Sequence, residues 1–321
     1  MIGSCVAKEL IDRGEKPVVL DSFPRPEYIS DVVNSDEIHL VRGDVLDLSD
    51  VLHIIKQFEV DRIIHTAGIL TVGAKEKPYA SFKVNLEGTL NVLEACRLQD
   101  IKSVVFTSSS TVSSGVPPQL VSKPLEEDFP MRCLAHRPRS VYATTKLAAE
   151  YFGLNYADEY GLDFKVVRFA ATYGPWRGPA TANAQIVLAN MVKGLLANGE
   201  FTLDPRFTWT GGTEFLFSLD AARGAVLASE TQKVSERVFN IGVGKLYTLE
   251  EVLITMKSLI PKGRIRVPEI RKGMFGYPFE QSQPLDISSA KRELGYEPRF
   301  FLDSALEYLI KREKTWIESA N

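Results

Sequence analysis

Tyr142 and Lys146 stand one helical turn apart in Tyr-Ala-Thr-Thr-Lys, downstream of a serine-rich strand end at 104–110. Two side chains four residues apart leave a helix on the same face. There an ammonium favours a phenolate, drawing a phenol of reference pKa ~10 toward a value useful for proton transfer. A nearby serine hydroxyl would hold the substrate oxygen whose proton moves. Together they make the proton-transfer half of a hydride-transfer site, and a dinucleotide must supply the other half.

Spacing alone does not single the pair out. Tyr79 and Lys83 are separated identically, but no serine-rich strand end precedes them. For that second pair the expectation is a packed tyrosine and a solvated lysine.

The elements that must position such a site alternate. Short β-rich runs at 16–21, 39–41, 62–66, 103–107 and 164–169 are interleaved with helical stretches at 5–13, 47–58, 81–98 and 141–160. Such alternation implies right-handed βαβ units and a mostly parallel sheet. Beyond Gly174-Pro175 the pattern loosens into a loop at 176–182, a helix at 185–196 and a turn at 210–213. A strand at 215–218, a helix through Ser229 capped by Asp220, a strand at 237–241 and amphipathic helices at 250–260 and 303–317 follow. The segment 273–284, rich in Gly, Pro and aromatics, fits a wall over a ligand. The expected division is a dinucleotide-binding part over 1–175, rejoined by 213–242, and a substrate-binding part over 176–212 and 243–321.

Composition bounds the function classes. With 321 residues, 45% hydrophobic, 25% charged and a net charge of −3, the chain has the makeup of a soluble globular protein. Intermixed charge offers no basic face to nucleic acid, and no apolar run reaches the ~20 residues of a membrane span. Without a signal peptide's pattern, the expected location is the cytoplasm. Cys5, Cys96 and Cys133 are far apart, so buried reduced thiols are expected and a metal is not.

Weaker signals gain force from their order. Gly3 opens the first helix and Asp21 ends the next strand, fitting the last glycine and the ribose-binding acid of a dinucleotide fingerprint. The preceding strand and the two phosphate-approaching glycines are expected and absent, for which an upstream start codon is the favoured account. Asp44 and Val45 follow a strand where an acid could accept from an adenine amino group, or could simply close a turn. Thr66-Ala67-Gly68 offers small residues where a cofactor backbone can approach. Asn85, polar among apolar neighbours, could brace the neighbouring strand or satisfy local backbone.

Taken in order, these motifs resemble the extended short-chain dehydrogenase/reductase superfamily, in its NAD-dependent epimerase/dehydratase branch. Further matches are Asn85-Leu86-Glu87-Gly88-Thr89, 168–175, 214–222, Phe239-Asn240-Ile241-Gly242 and 286–298. The resemblance implies a Rossmann-type doubly wound α/β sheet, its first strand missing, with a smaller C-terminal α/β substrate-binding region. It implies Ser109, Tyr142 and Lys146 as catalytic residues. NAD would be held by Gly3, Asp21, Asp44, Val45, Ala67, Asn85, Tyr142 and Lys146, with Asp21 disfavouring NADP. It also implies a homodimer through the helices at 81–98 and 141–160. Two departures, Ala171 for the family's Asn and Thr213 for its Arg, remove diphosphate donors and tilt the expectation toward a smaller or less anionic substrate. The implied enzyme oxidises a secondary alcohol of a sugar, nucleotide sugar or other small hydroxylated molecule. The alternative is a non-catalytic relic or dinucleotide-sensing regulator.

Overall fold

The computed structural model describes every residue except Asp31, Lys102, Thr210, residues 269–282 and Asn321. The first half runs α1 (Ile2–Asp12), β1 (Val18–Asp21), α2 (Pro26–Ile29), β2 (His39–Arg42), α3 (Leu48–Gln57), β3 (Arg62–His65), α4 (Thr71–Glu76), α5 (Pro78–Phe82), α6 (Gly88–Leu98), β4 (Ser103–Ser109), α7 (Val141–Tyr160) and β5 (Asp163–Phe169). The second half runs β6 (Ala171–Tyr173), α8 (Asn190–Asn198), β7 (Glu200–Thr202), β8 (Phe215–Phe217), α9 (Ser218–Glu230), β9 (Val238–Ile241), α10 (Leu249–Leu259), β10 (Arg264–Arg266), α11 (Ser288–Leu294) and α12 (Leu302–Ala320).

Every ladder between these strands is parallel, giving the expected α/β architecture. A four-stranded sheet has the order β3-β4-β5-β9, and β1 and β2 form a separate pair. Among the described residues no ladder joins β1 to β3. Val104, Val105 and Phe106 of β4 are all at most 1% exposed, so this strand is buried on both faces. That explains its continuous apolar run in place of alternation. Val105 and Val167 face a core shared with α1, α9 and α11. Val104, Phe106, Phe164 and Val166 face α3, α6 and α7. A third core gathers around β6, β8, α8, α10 and α12.

Several expectations need correction. The helix over 81–98 is not continuous: α5 gives way to a π-helical turn at Lys83–Glu87 before α6 begins. Asp220 does not cap α9, which starts at Ser218. Its carboxylate accepts instead from the Arg299 and Phe300 amides at 2.9 and 2.8 Å, tying α9 to the start of α12. Cys5 and Cys96 are buried, but Cys133 is exposed. Most of the ligand wall expected at 273–284 lies outside the described residues. Among the described residues no helix is long and apolar enough to cross a membrane.

Candidate active site

The site forms where β4 ends and α7 begins. Ser140 caps α7, its hydroxyl accepting from the Ala143 amide at 3.1 Å, and Gly161 closes the helix with φ +70°. Tyr142 and Lys146 therefore lie in the first turns of one helix, 8% and 3% exposed. The Tyr142 phenol comes near enough to Ser109, the last residue of β4, for that side chain to act on its titration. Lys146 Nζ donates to the Thr107 carbonyl at 2.8 Å and sits 4.6 Å from the Phe106 ring centroid. Ser109 also accepts from the Thr111 hydroxyl at 2.9 Å. The three residues singled out for proton transfer are thus brought together.

Their electrostatics differ from the expectation. Burial pushes the Tyr142 phenol up to about 12, and the nearby Ser109 side chain acts in the opposite direction. Burial draws Lys146 down to about 8, against the pull of Glu150. The ammonium rests on Thr107, so in this state it does not lower the phenol. Tyr142 is neutral at pH 7 and Lys146 is largely charged. His65, buried at the end of β3, falls to about 3 through burial and then the charge of Lys146, so it stays neutral.

The contrasting pair behaves differently. Tyr79 is 72% exposed rather than packed, and Lys83 lies 4.0 Å from Glu87 and over the Tyr79 ring. Identical spacing meets no strand end there.

Residues expected to hold a dinucleotide line the carboxyl ends of β1, β2 and β3. A Cβ on Gly3 would lie 2.9 Å from Thr66 Oγ1, so only glycine lets α1 approach β3 this closely. A Cβ on Gly68 would stand 3.3 Å from Asn85 Oδ1 and 3.5 Å from Lys146 Nζ. Gly68 is exposed and Ala67 half-buried, so the backbone after β3 passes close to Asn85 and the buried ammonium without an intervening side chain. Asn85 is fully buried and braces the loop after β3, accepting from the Ile69 amide at 2.7 Å and donating to its carbonyl at 3.0 Å. Asp21 is exposed at the end of β1 and accepts from Phe23 N at 2.8 Å through one oxygen. Asp44 closes its own turn by accepting from Leu46 N at 3.0 Å. Val45 packs on Gly88, and its carbonyl accepts from Asn91 at 2.9 Å. Small residues and an exposed acid thus stand at these strand ends, the residue types a dinucleotide-binding unit uses there.

Sequence reasoning missed the polar lock beneath this site. Glu150, 1% exposed, accepts from Ser108 on β4 and grips Arg168 on β5 at 2.7 and 3.0 Å. Arg168 Nη1 continues to the Glu127 carbonyl at 2.7 Å, while the Glu127 carboxylate accepts from Asn240 N at 2.8 Å. The signal was available: residues 142, 146 and 150 form one i, i+4 row, and Ser108 pairs in register with Arg168. Buried Glu214 similarly gathers the Val243, Gly244 and Leu285 amides, within 2.7–2.8 Å. Ala171 and Thr213, where diphosphate donors were expected, lie on strand-pairing backbone, Ala171 opposite Phe215 and Thr213 opposite Tyr247. Among the described residues no His, Cys, Asp or Glu group could hold a metal ion.

Known proteins resemble this chain in sequence and fold. The chain is 28% identical over 319 residues to UDP-glucose 4-epimerase of Mycolicibacterium smegmatis, covering 97% of this chain and 94% of that protein. It is 25% identical over 296 residues to UDP-glucuronate 4-epimerase of Thermodesulfobacterium geofontis, covering 90% and 84%. Thermus thermophilus UDP-glucose 4-epimerase, solved with NAD, superposes with a TM-score of 0.76 at 26% identity over 98% and 96% of the two chains. L-threonine dehydrogenase of Clostridium difficile has a TM-score of 0.81 at 22% identity over 98% and 95%, which shows a shared fold alone. The model of the NAD dependent epimerase/dehydratase family matches residues 1–242, a stretch running from α1 through β9 and containing the whole Ser109–Tyr142–Lys146 constellation. With fold, site geometry and family match in agreement, the chain belongs to the NAD-dependent epimerase/dehydratase family and is an enzyme of that family.

Proposed function

We propose that this enzyme binds NAD and oxidises a secondary alcohol of a nucleotide sugar or related hydroxylated molecule, as a dehydrogenase or as the first step of an epimerisation or dehydration. The observation that carries it is the burial of Tyr142 beside Ser109 at the end of β4, with Lys146 one turn away on the same helix. Relatives named as epimerases of UDP sugars weigh toward a nucleotide sugar, against the tilt drawn from Ala171 and Thr213.

NAD, when bound, supplies the hydride acceptor at its nicotinamide. Asp21 would take the adenosine ribose hydroxyls, Asp44 and Val45 the adenine, and Gly3 and Ala67 the dinucleotide backbone. Lys146 would hold the nicotinamide ribose, and Asn85 would fix the loop beside it. Ser109 would hold the substrate oxygen against Tyr142, which exchanges the proton. Because Tyr142 is neutral near pH 7, accepting that proton requires its phenolate to be stabilised, and Lys146 would do so on turning its ammonium from the Thr107 carbonyl. Residues 1–175 with 213–242 form the dinucleotide-holding part in this proposal, and 176–212 with 243–321 the substrate part. The enzyme would be a homodimer through α5, α6 and α7.

The test is direct. Purified protein is incubated with NAD and UDP-glucose or UDP-glucuronate, and the 4-epimers are sought by NMR alongside the absorbance of reduced nicotinamide. Epimer or reduced cofactor is expected, and its loss in Tyr142→Phe. The absence of a ladder joining β1 to β3 motivates a second possibility, a dinucleotide-binding protein without turnover. Tight NAD binding with no product across sugar and non-sugar alcohols would favour it.

A further inference from the structure

A basic loop separates the serine strand end from the reactive helix. Residues 131–139 carry Arg132, Arg137 and Arg139 and no acid. All three arginines are exposed, and none has an ion-pair partner among the described residues. Elsewhere Arg13, Arg62, Arg97, Arg168, Arg206 and Arg266 are each paired with a carboxylate. Nearby acids do not serve the loop: Glu126 pairs with Lys123, and Glu127 accepts from Asn240 N.

This loop is held, not merely tethered. His136 is buried, and its Nδ1 accepts from Arg132 N at 3.2 Å while its own amide donates to the Arg132 carbonyl at 2.9 Å. A Cβ on Gly115 would fall 2.0 Å from the Arg137 carbonyl, so the backbone at 136–137 lies directly on the turn that follows Ser109. Arg139 N donates to Ser114 Oγ at 3.0 Å, and the next residue is Ser140, the cap of α7. Arg137 and Arg139 are thus anchored at their backbones between the turn that follows Ser109 and the cap of α7, with Arg132 tied to them through His136. Leu134 on the same loop is 81% exposed, more than any other large hydrophobic side chain among the described residues. Three like charges on one nine-residue loop, with Arg137 Nη1 donating to the Leu134 carbonyl at 3.1 Å and no ion-paired acid among the described residues, raise the local potential, which an incoming anion relieves. Guanidinium groups suit carboxylate and phosphate oxygens through paired N–H donors.

We propose that the loop 131–139 is an anion subsite beside Ser109 and Tyr142, taking a carboxylate or phosphate ester carried by the reacting part of the substrate. This deepens the proposed function and rests on Ser109 and Tyr142 marking where that part lies. It also relocates the anion contacts given up at Ala171 and Thr213.

Equilibrium binding to the NAD-loaded enzyme tests it with two ligand pairs, each differing in one anionic group. UDP-glucuronate against UDP-glucose reads a carboxylate, and glucose 6-phosphate against glucose reads a phosphate. At least one acidic member is expected to bind about ten-fold or more tightly than its neutral partner. That gap is expected to close in the triple variant Arg132→Gln, Arg137→Gln, Arg139→Gln. NAD affinity, measured separately, should be unchanged in the variant, and should it fall with lost folding the three single substitutions carry the comparison. Equal affinities within both pairs, a gap that survives the substitutions, or no binding of any sugar by an enzyme that binds NAD would each overturn the subsite. Failure to bind NAD at all would instead strike the proposed function.

Discussion

Tyr142 and Lys146 sit in a dry site, and burial moves both titrations. A lysine drawn to about 8 is charged below that pH and neutral above it. If turnover depends on the ammonium, kcat falls as pH rises through about 8, a limb that a pH–rate profile would show and that Lys146→Met would abolish. Glu150 pulls the lysine upward, so Glu150→Gln should move the same limb to lower pH. Tyr142→Phe keeps the ring and removes the hydroxyl. It should cost about 10²–10⁴ in kcat while leaving the melting temperature close to that of the parent, as steady-state kinetics and calorimetry would report.

At the level of elements, α7 must lie flat against β4 and β5 for its first turns to meet Ser109. Two features hold it there. One is the Glu150–Arg168 pair, whose side chains are 1% and 13% exposed. An exposed pair such as Arg206–Asp204 contributes little, but breaking a buried one strands a charge and costs about 3–5 kcal/mol. Chemical denaturation of Glu150→Gln should show a loss of that size, and pairing it with Arg168→Met should recover much of it. The other is Gly153, where a Cβ would sit 2.0 Å from Phe164 Cζ. Phe164 is fully buried and stacks on Phe106, the ring beneath Lys146. Gly153→Ala should therefore destabilise by about 1–3 kcal/mol and, unlike a change on the exposed face of α7, also weaken turnover.

For the whole molecule, the helices flanking the site leave a broad apolar surface. Tyr79, Phe82 and Leu98 on α5 and α6, and Tyr151, Phe152 and Tyr160 on α7, are 43–72% exposed. Patches of this kind mark interaction surfaces, and a second copy pairing α5, α6 and α7 into a four-helix bundle is the proposed occupant. Sedimentation should report a dimer, and the double substitution Tyr151→Glu, Phe152→Glu should yield a monomer.

The order of strands and helices, the parallel sheet and the family membership were all legible in the chain, because hydrophobic period and motif order are local properties. Helix α7 was expected at 141–160 and is found at Val141–Tyr160. Ser109, Tyr142 and Lys146 were named from motif and resemblance, and Tyr79–Lys83 shows why spacing was insufficient: that pair faces solvent. Other features depend on partners far along the chain. Asp220 resembled a helix cap until the fold brought residues 299 and 300 to it. Lys146 was expected to favour the phenolate, but the Thr107 carbonyl claims its ammonium and burial dominates both pKa shifts. A sequence determines which groups can donate, accept or carry charge. Only tertiary packing decides which of them meet and how little water they share, because desolvation and long-range contacts arise from the folded neighbourhood and not from the residue itself.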